Sequence, residues 1–206
     1  MSVVGVLLAG GLSRRMGGGD KNQLSLGQHP ILDHVIDRVK PQVNTLILNA
    51  NGDPERFAGY DLPVVADVID GYAGPLAGIL TGMEWAETHV PDAQWLASFP
   101  TDAPFLPRDL VTKLIAATAA EDADMACAMS QDRTHPPIAV WPMSLAVELR
   151  QAMVDEDMRK IDRWTARYKT VHVPFDDPDM DPFFNINRAE NLEDAERYLA
   201  GLKGAA

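Results

Sequence analysis

The sequence holds a single cysteine, Cys127, so no internal disulfide can form, and the expected setting is the reducing cytosol. Long apolar runs are also missing. No stretch approaches the roughly 18 residues of a membrane span. The first residues show neither the basic region nor the cleavage site of a signal peptide, so none is expected. Positive charge is scarce: 18 Lys and Arg stand against 30 Asp and Glu, for a net charge of −12. That balance argues against nucleic acid as a partner. There is no zinc-ligand spacing, no serine or cysteine triad signal, no internal repeat and no low-complexity segment. The run Asp176-Asp177-Pro178-Asp179-Met180-Asp181 lacks the glycine and distant glutamate of a calcium loop and reads as a solvated acidic loop. Cys127 lies in the small, apolar run MACAM, where a buried thiol is expected rather than a nucleophile.

What is present is an alternation. The chain has 206 residues, 46% of them hydrophobic, which suits one globular domain with a substantial core. Apolar runs predict strands at 3–8, 44–49, 62–66, 94–99, 124–129, 137–141 and 169–174. Helical patterns fall between them at about 29–40, 74–88, 107–120, 143–153 and 189–201, with another near 156–165. Asn187 with Glu190 three residues on makes a capping box for the last of the helices, and Pro75 suits a first helical turn. Such alternation implies an α/β fold, a mostly parallel sheet with helices on both faces in three layers. Ligands in open sheets of this kind sit beyond the carboxyl ends of the strands. The loops after residues 8, 49, 66 and 99 then share one rim.

The first of those loops carries the strongest signal. A buried-strand run, VVGVLLA (residues 3–9), leads into Gly10, Gly11, Ser13, Arg14, Arg15, three more glycines, Asp20 and Lys21. Glycines let the backbone approach an anion closely, and exposed N–H groups beside fixed cations suit a polyphosphate. Within residues 1–21 three cationic side chains face one carboxylate, a local net of +2 inside an acidic protein. The loop is not a P-loop, because Lys21 precedes Asn22 rather than Ser or Thr. It is not the dinucleotide fingerprint either, because no set of its glycines is spaced G-x-G-x-x-G.

Leu8 to Lys21 instead spell L-A-G-G-x-S-x-R-M-G-x-x-D-K. This resembles the signature of the nucleotidyltransferases that make molybdenum-cofactor dinucleotides, and most closely the molybdenum cofactor guanylyltransferase (MobA) family. The resemblance is clear over residues 3–105 and looser from 133 to 190. Asn22-Gln23 is less typical of the family, and residues 200–206 match nothing in it. It implies a Rossmann-like nucleotidyltransferase fold, with a nucleotide half of about 1–105 and an acceptor half of about 106–200. Gly11 matches the guanylyl branch, whereas the cytidylyl branch usually has L-A-A-G.

The rest of the predicted rim agrees with the resemblance. Asn49 follows the second strand, and the family has an asparagine there that contacts the nucleotide. Asp67 follows the third, and Gly74 to Gly78 spell G-P-L-A-G, which in the family lines the nucleotide pocket. Asp102 lies just past the fourth strand, in Pro100-Thr101-Asp102-Ala103-Pro104. A carboxylate beside a triphosphate suits Mg²⁺, which takes one or two carboxylates plus phosphates and water. The family pattern P-x-D-x-P likewise makes this residue the metal ligand. Arg133-Thr134-His135-Pro136 is similar to an R-x-H-P stretch near the second substrate, and Asn185 with Asn187 to an N-x-N pair that borders it. Arg133, His135 and Asn185 are therefore the acceptor-side candidates.

The reaction implied is transfer of GMP from GTP to molybdopterin or the molybdenum cofactor, giving the guanine dinucleotide cofactor and pyrophosphate. The attacking phosphate is already an anion, so the work is electrostatic. The N–H groups of Gly10 and Gly11 would hold the triphosphate, Ser13 would donate to a phosphate, and Arg15 and Lys21 would neutralise the departing pyrophosphate. Asp102 would hold Mg²⁺. Leu8 and Ala9 would lie near the base, with Asn49, Asp67 and Gly78 around the nucleoside. Cofactor-delivery proteins and molybdoenzymes are the partners such a function implies. Rival readings are a cytidylyl or other nucleotidyltransferase with a different small phosphate acceptor, and a nucleotide-binding module without catalysis.

Overall fold

The computed structural model of the chain describes residues 1–9, 25–71, 74–186 and 189–204. Gly10, Gly11, Ser13, Arg15, Lys21 and the expected helix cap Asn187 lie outside the described residues. The apolar run at the start forms β1 (Ser2–Leu8), which is buried along five consecutive residues, as expected of a strand covered on both faces. Its side chains alternate. Val3 and Leu7 enter one core, Val4 and Val6 the other. Gly5 stands where a Cβ would come within 2.8 Å of the Leu46 side chain and 3.2 Å of the Phe99 ring.

Seven strands make one sheet. From edge to edge they are β5 (Val64–Val65), β4 (Thr45–Asn49), β1, β6 (Ala93–Pro100), β8 (Arg133–Pro142), β7 (Met125–Ser130) and β9 (Thr170–Pro174). Within this sheet β8 alone runs against its neighbours. All other adjacent pairs are parallel. A two-residue hairpin, β2 (Ser25–Leu26) with β3 (His29–Pro30), stands apart from it. Helices α1 (Ile31–Val39) and α3 (Leu110–Glu121) cover one face, and α2 (Pro75–His89), α4 (Ala146–Asp155) and α5 (Ile161–Thr165) the other. The final helix, α6 (Ala189–Gly204), packs Ala195 and Leu199 with Leu26 and Phe105 in a third, smaller cluster. No described helix is long and apolar enough to cross a membrane.

Every strand and helix expected from the sequence has a counterpart, with local differences. The strand expected at 137–141 begins at Arg133, because a bulge opposite Cys127 and Ala128 takes up Pro136 and Pro137. Proline is tolerated in a sheet at such irregularities. The helix expected from residue 29 starts at Ile31, since His29 and Pro30 pair with the β2 strand instead. Only Ile161–Thr165 of the expected 156–165 helix forms.

Buried polar groups on the sheet are satisfied by one another. The Trp141 indole donates to Ser98 Oγ at 2.9 Å, and Ser98 Oγ donates to the Pro137 carbonyl at 2.8 Å. Cys127 is buried as expected, and burial pushes its thiol up to about 12. Only the thiolate is a good nucleophile, so the folded protein at pH 8 is expected to resist iodoacetamide, while protein in denaturant alkylates readily. Mass spectrometry over time checks this, and rapid labelling of the folded form would contradict the buried placement.

Candidate functional site

Strand register sets the rim. Leu8 lies opposite Asn49 on one side and Pro100 on the other, and Asn49 lies opposite Val65. The ends of β5, β4, β1 and β6 therefore come level, and Asp67, Asn49, Ala9 and Asp102 fall along a single edge. The Ala9 amide donates to the Asn49 carbonyl at 2.9 Å, which carries the β1 chain outward beside β4 toward the glycine-rich stretch.

Two asparagines clamp one carboxylate here. Asn49 is 2% exposed, and its Nδ2 donates to Asp67 Oδ1 at 2.8 Å and to the Val65 carbonyl at 3.2 Å. Asn51 Nδ2 donates to Asp67 Oδ2 at 2.8 Å, while Asn51 Oδ1 accepts from the Asp67 amide at 2.9 Å. The next amide, Val68, donates to Thr81 Oγ1 on α2. A carboxylate has about four acceptor positions, so Asp67 keeps acceptor capacity after both amides have bound it. Asn51 belongs to the Asn49-Ala50-Asn51 stretch after the second strand, of which the family resemblance marks Asn49 alone.

Gly78 belongs to this clamp for a steric reason. A Cβ at Gly78 would stand 2.4 Å from Asn49 Oδ1 and 2.7 Å from Leu8 Cδ2. Its lack of a side chain lets α2 lie close against the end of β1 and against Asn49. The helix begins just before, where Gly74 adopts φ +76° and Pro75 takes the first helical position, an arrangement that glycine and proline favour.

Across β1 the rim is tied to a distant strap. The Asp102 carbonyl accepts from the Ile186 amide at 2.9 Å. Ile186 and Phe183 are buried, while Asn185 between them is exposed. At its other end the strap is held by Asp181, whose Oδ1 accepts from Ser130 Oγ at 2.7 Å and from the Phe183 amide at 2.9 Å. The Ser130 hydroxyl also lies 2.8 Å from His135 Nε2, and the Phe183 ring packs 4.7 Å from the His135 ring. The half-buried His135 has its pKa lowered, chiefly by burial and also by Arg133, against the opposing pull of Asp181.

Because β8 runs in the reverse direction, its first residues reach the same rim as the ends of its neighbours. Gln131 and Asp132 both have φ near +50 to +60°, as in the tight turns that suit hairpins, and Arg133 follows, exposed. Thus Asp102, His135 and Asn185 are linked through one strap, whereas Leu8, Asn49, Asp67 and Gly78 form a separate group on the other side of the β1 strand end. The acidic run divides in two. Asp176 and Asp177 are exposed as expected, with Asp177 bonded to the Asp179 amide and to Tyr198. Asp181, by contrast, is half-buried and serves the strap.

A sheet of this order, with a glycine-rich stretch after its first strand and carboxylates beyond its third and fourth parallel ends, is the nucleotidyltransferase form of the α/β fold. The molybdopterin-guanine dinucleotide biosynthesis protein A of Archaeoglobus fulgidus shares it, with a TM-score of 0.75, 22% identity, and 96% of this chain and 99% of that one covered. The MobA-like NTP transferase domain matches residues 5–171, and the chain belongs to that family. Among its relatives, a molybdenum cofactor guanylyltransferase from Bradyrhizobium sp. (strain ORS 278) is 55% identical over 97% of this chain and 94% of its own length. One from Rhodopseudomonas palustris (strain BisB5) is 53% identical over 93% and 91%.

Proposed function

We propose that this chain transfers GMP from GTP to molybdopterin or its molybdenum form, releasing pyrophosphate and the guanine dinucleotide cofactor. The observation that carries this reading is the shared rim. A clamped carboxylate suited to a nucleoside and a second carboxylate suited to a metal flank the end of β1, where the signature stretch begins. Relatives bearing the guanylyltransferase name over nearly the whole chain support the donor and the acceptor.

The donor set fits Mg²⁺. Among the described residues no three His, Cys, Asp or Glu side chains gather into a cage, and Mg²⁺ characteristically needs only one or two carboxylates when phosphates complete its shell. Asp102 would hold it, and the ion would supply charge neutralisation on the phosphates. Gly10 and Gly11 hold the triphosphate through their N–H groups, and Ser13 donates to one of its oxygens. Arg15 and Lys21 take up the charge that grows on the leaving pyrophosphate. Asp67, fixed by Asn49 and Asn51, accepts from N–H or O–H groups of the nucleoside. Leu8 and Ala9 flank the base. Asn49 acts by orienting Asp67, since its own amide hydrogens are already bonded. Arg133, His135 and Asn185 meet the acceptor, whose phosphate attacks the α-phosphorus.

The test is an assay with GTP, Mg²⁺ and molybdopterin, read by pyrophosphate release and by the guanine dinucleotide product. Competing CTP should leave the product unchanged. Preferred cytidylyl transfer, or GTP binding with no pyrophosphate in the presence of acceptor, would overturn the reading.

A further inference from the structure

We propose that Asp181, acting through Ser130, is a positioning residue that sets the tautomer and orientation of His135, so that the ring's Nδ1 lone pair meets an N–H or O–H donor on the acceptor. This inference rests on the proposed acceptor role of His135 and adds residues to which that reading gives no part. Ser130 is 1% exposed and has a single hydroxyl proton. Its oxygen lies within hydrogen-bond distance of both Asp181 Oδ1 and His135 Nε2. An ionised carboxylate has no proton to give, so the hydroxyl must donate to Asp181. The same oxygen then accepts, and the proton it accepts sits on Nε2. In a neutral imidazole the bond at one nitrogen decides the state of the other, which leaves the lone pair on Nδ1.

The surroundings hold this arrangement in place. Phe183 packs against the ring at an interplanar angle of 51° and is itself buried against Phe175. The Phe183 amide donates to the same Asp181 oxygen, so strap, serine and imidazole form one unit. Burial also keeps the ring neutral, and a lone pair requires that. A tie between strap and strand needs only the Ser130–Asp181 bond. The third member, placed between the exposed Arg133 and the strap that presents Asn185, is what a positioning role explains.

The tautomer of His135 can be read by ¹⁵N NMR on the full-length protein, with His135→Gln used to assign the signal. The wild type should show the Nε2–H form near neutral pH. Ser130→Ala should mix in the Nδ1–H form and raise the acceptor KM about tenfold, the scale of one misplaced hydrogen bond, with the GTP KM unchanged. Ser130→Thr, which keeps the hydroxyl, should restore both readouts. An Nδ1–H wild type, or a tautomer unmoved in Ser130→Ala, overturns the relay while leaving the proposed function intact. A tautomer that moves with no change in acceptor KM overturns the positioning role. A wild type that makes no guanine dinucleotide instead overturns the proposed function, and does so before any variant is compared.

Discussion

Asp102→Asn is expected to lower pyrophosphate release by about 10²-fold or more, the scale of removing a principal electrostatic stabiliser from a reaction centre. The substitution is nearly isosteric, and the bond that ties this turn to the strap uses the Asp102 backbone carbonyl, not its side chain. That backbone tie is retained in the variant. A neutral amide binds Mg²⁺ more weakly than a carboxylate does, for want of charge, so the loss should be relieved only partly by raising Mg²⁺. GTP affinity should fall less than turnover. Turnover within a few-fold of wild type at ordinary Mg²⁺ would remove Asp102 from the chemistry and from the proposed metal site.

Gly78→Ala is the second large effect expected, and it acts through packing. The added carbon would stand 2.4 Å from Asn49 Oδ1 and 2.7 Å from Leu8 Cδ2, closer than any real contact. Asn49 has little room to yield, being buried with its amide bonded to Asp67 Oδ1 and to the Val65 carbonyl. Overpacking of this kind costs about 1–3 kcal/mol, and for a chain of this length each kcal/mol lowers Tm by roughly 2–4 °C. The melting temperature should fall accordingly, and GTP affinity should fall with it because Asp67 loses its orientation. Adding Asn49→Ala to Gly78→Ala should recover part of the lost stability, since the two sites are in contact and their effects are not additive. A Gly78→Ala protein with unchanged Tm and GTP affinity would mean that the clamp yields without cost.

The sheet was legible because its central strands are short apolar runs bounded by glycine, proline and asparagine, a pattern that β1, β4 and β6 all carry. What was not legible has physical reasons. Pro136-Pro137 reads as the start of a strand, and only the bulge opposite Cys127 shows why pairing reaches back to Arg133. The β2–β3 hairpin pairs two residues with two, too few for any periodicity. On the site itself, Asn49 and Asp67 stand just past strands, and it is the family resemblance that marks them as nucleoside residues. That the asparagine holds the aspartate could not be seen, because an amide bonds a ligand or a neighbour equally well. Gly78 matches a pocket-lining glycine of the family, and its steric fit against Asn49 and Leu8 is visible only in the structure. Ser130 and Asp181 lie 51 positions apart, and nothing within one sequence pairs a serine with the last acid of a polar loop.

The reversed course of β8 has a further implication. Strands that end at the rim deliver their functional groups one by one, each separated from the next by a helical crossover. A strand that begins there needs only a two-residue reversal to bring Arg133 and His135 beside Ser130. On the proposed reading, everything that touches the acceptor thus resides in two brief pieces, residues 130–135 and 181–186, that can be exchanged between homologues as a cassette. Substrate choice on that side becomes separable, by transplantation, from the machinery that activates GTP.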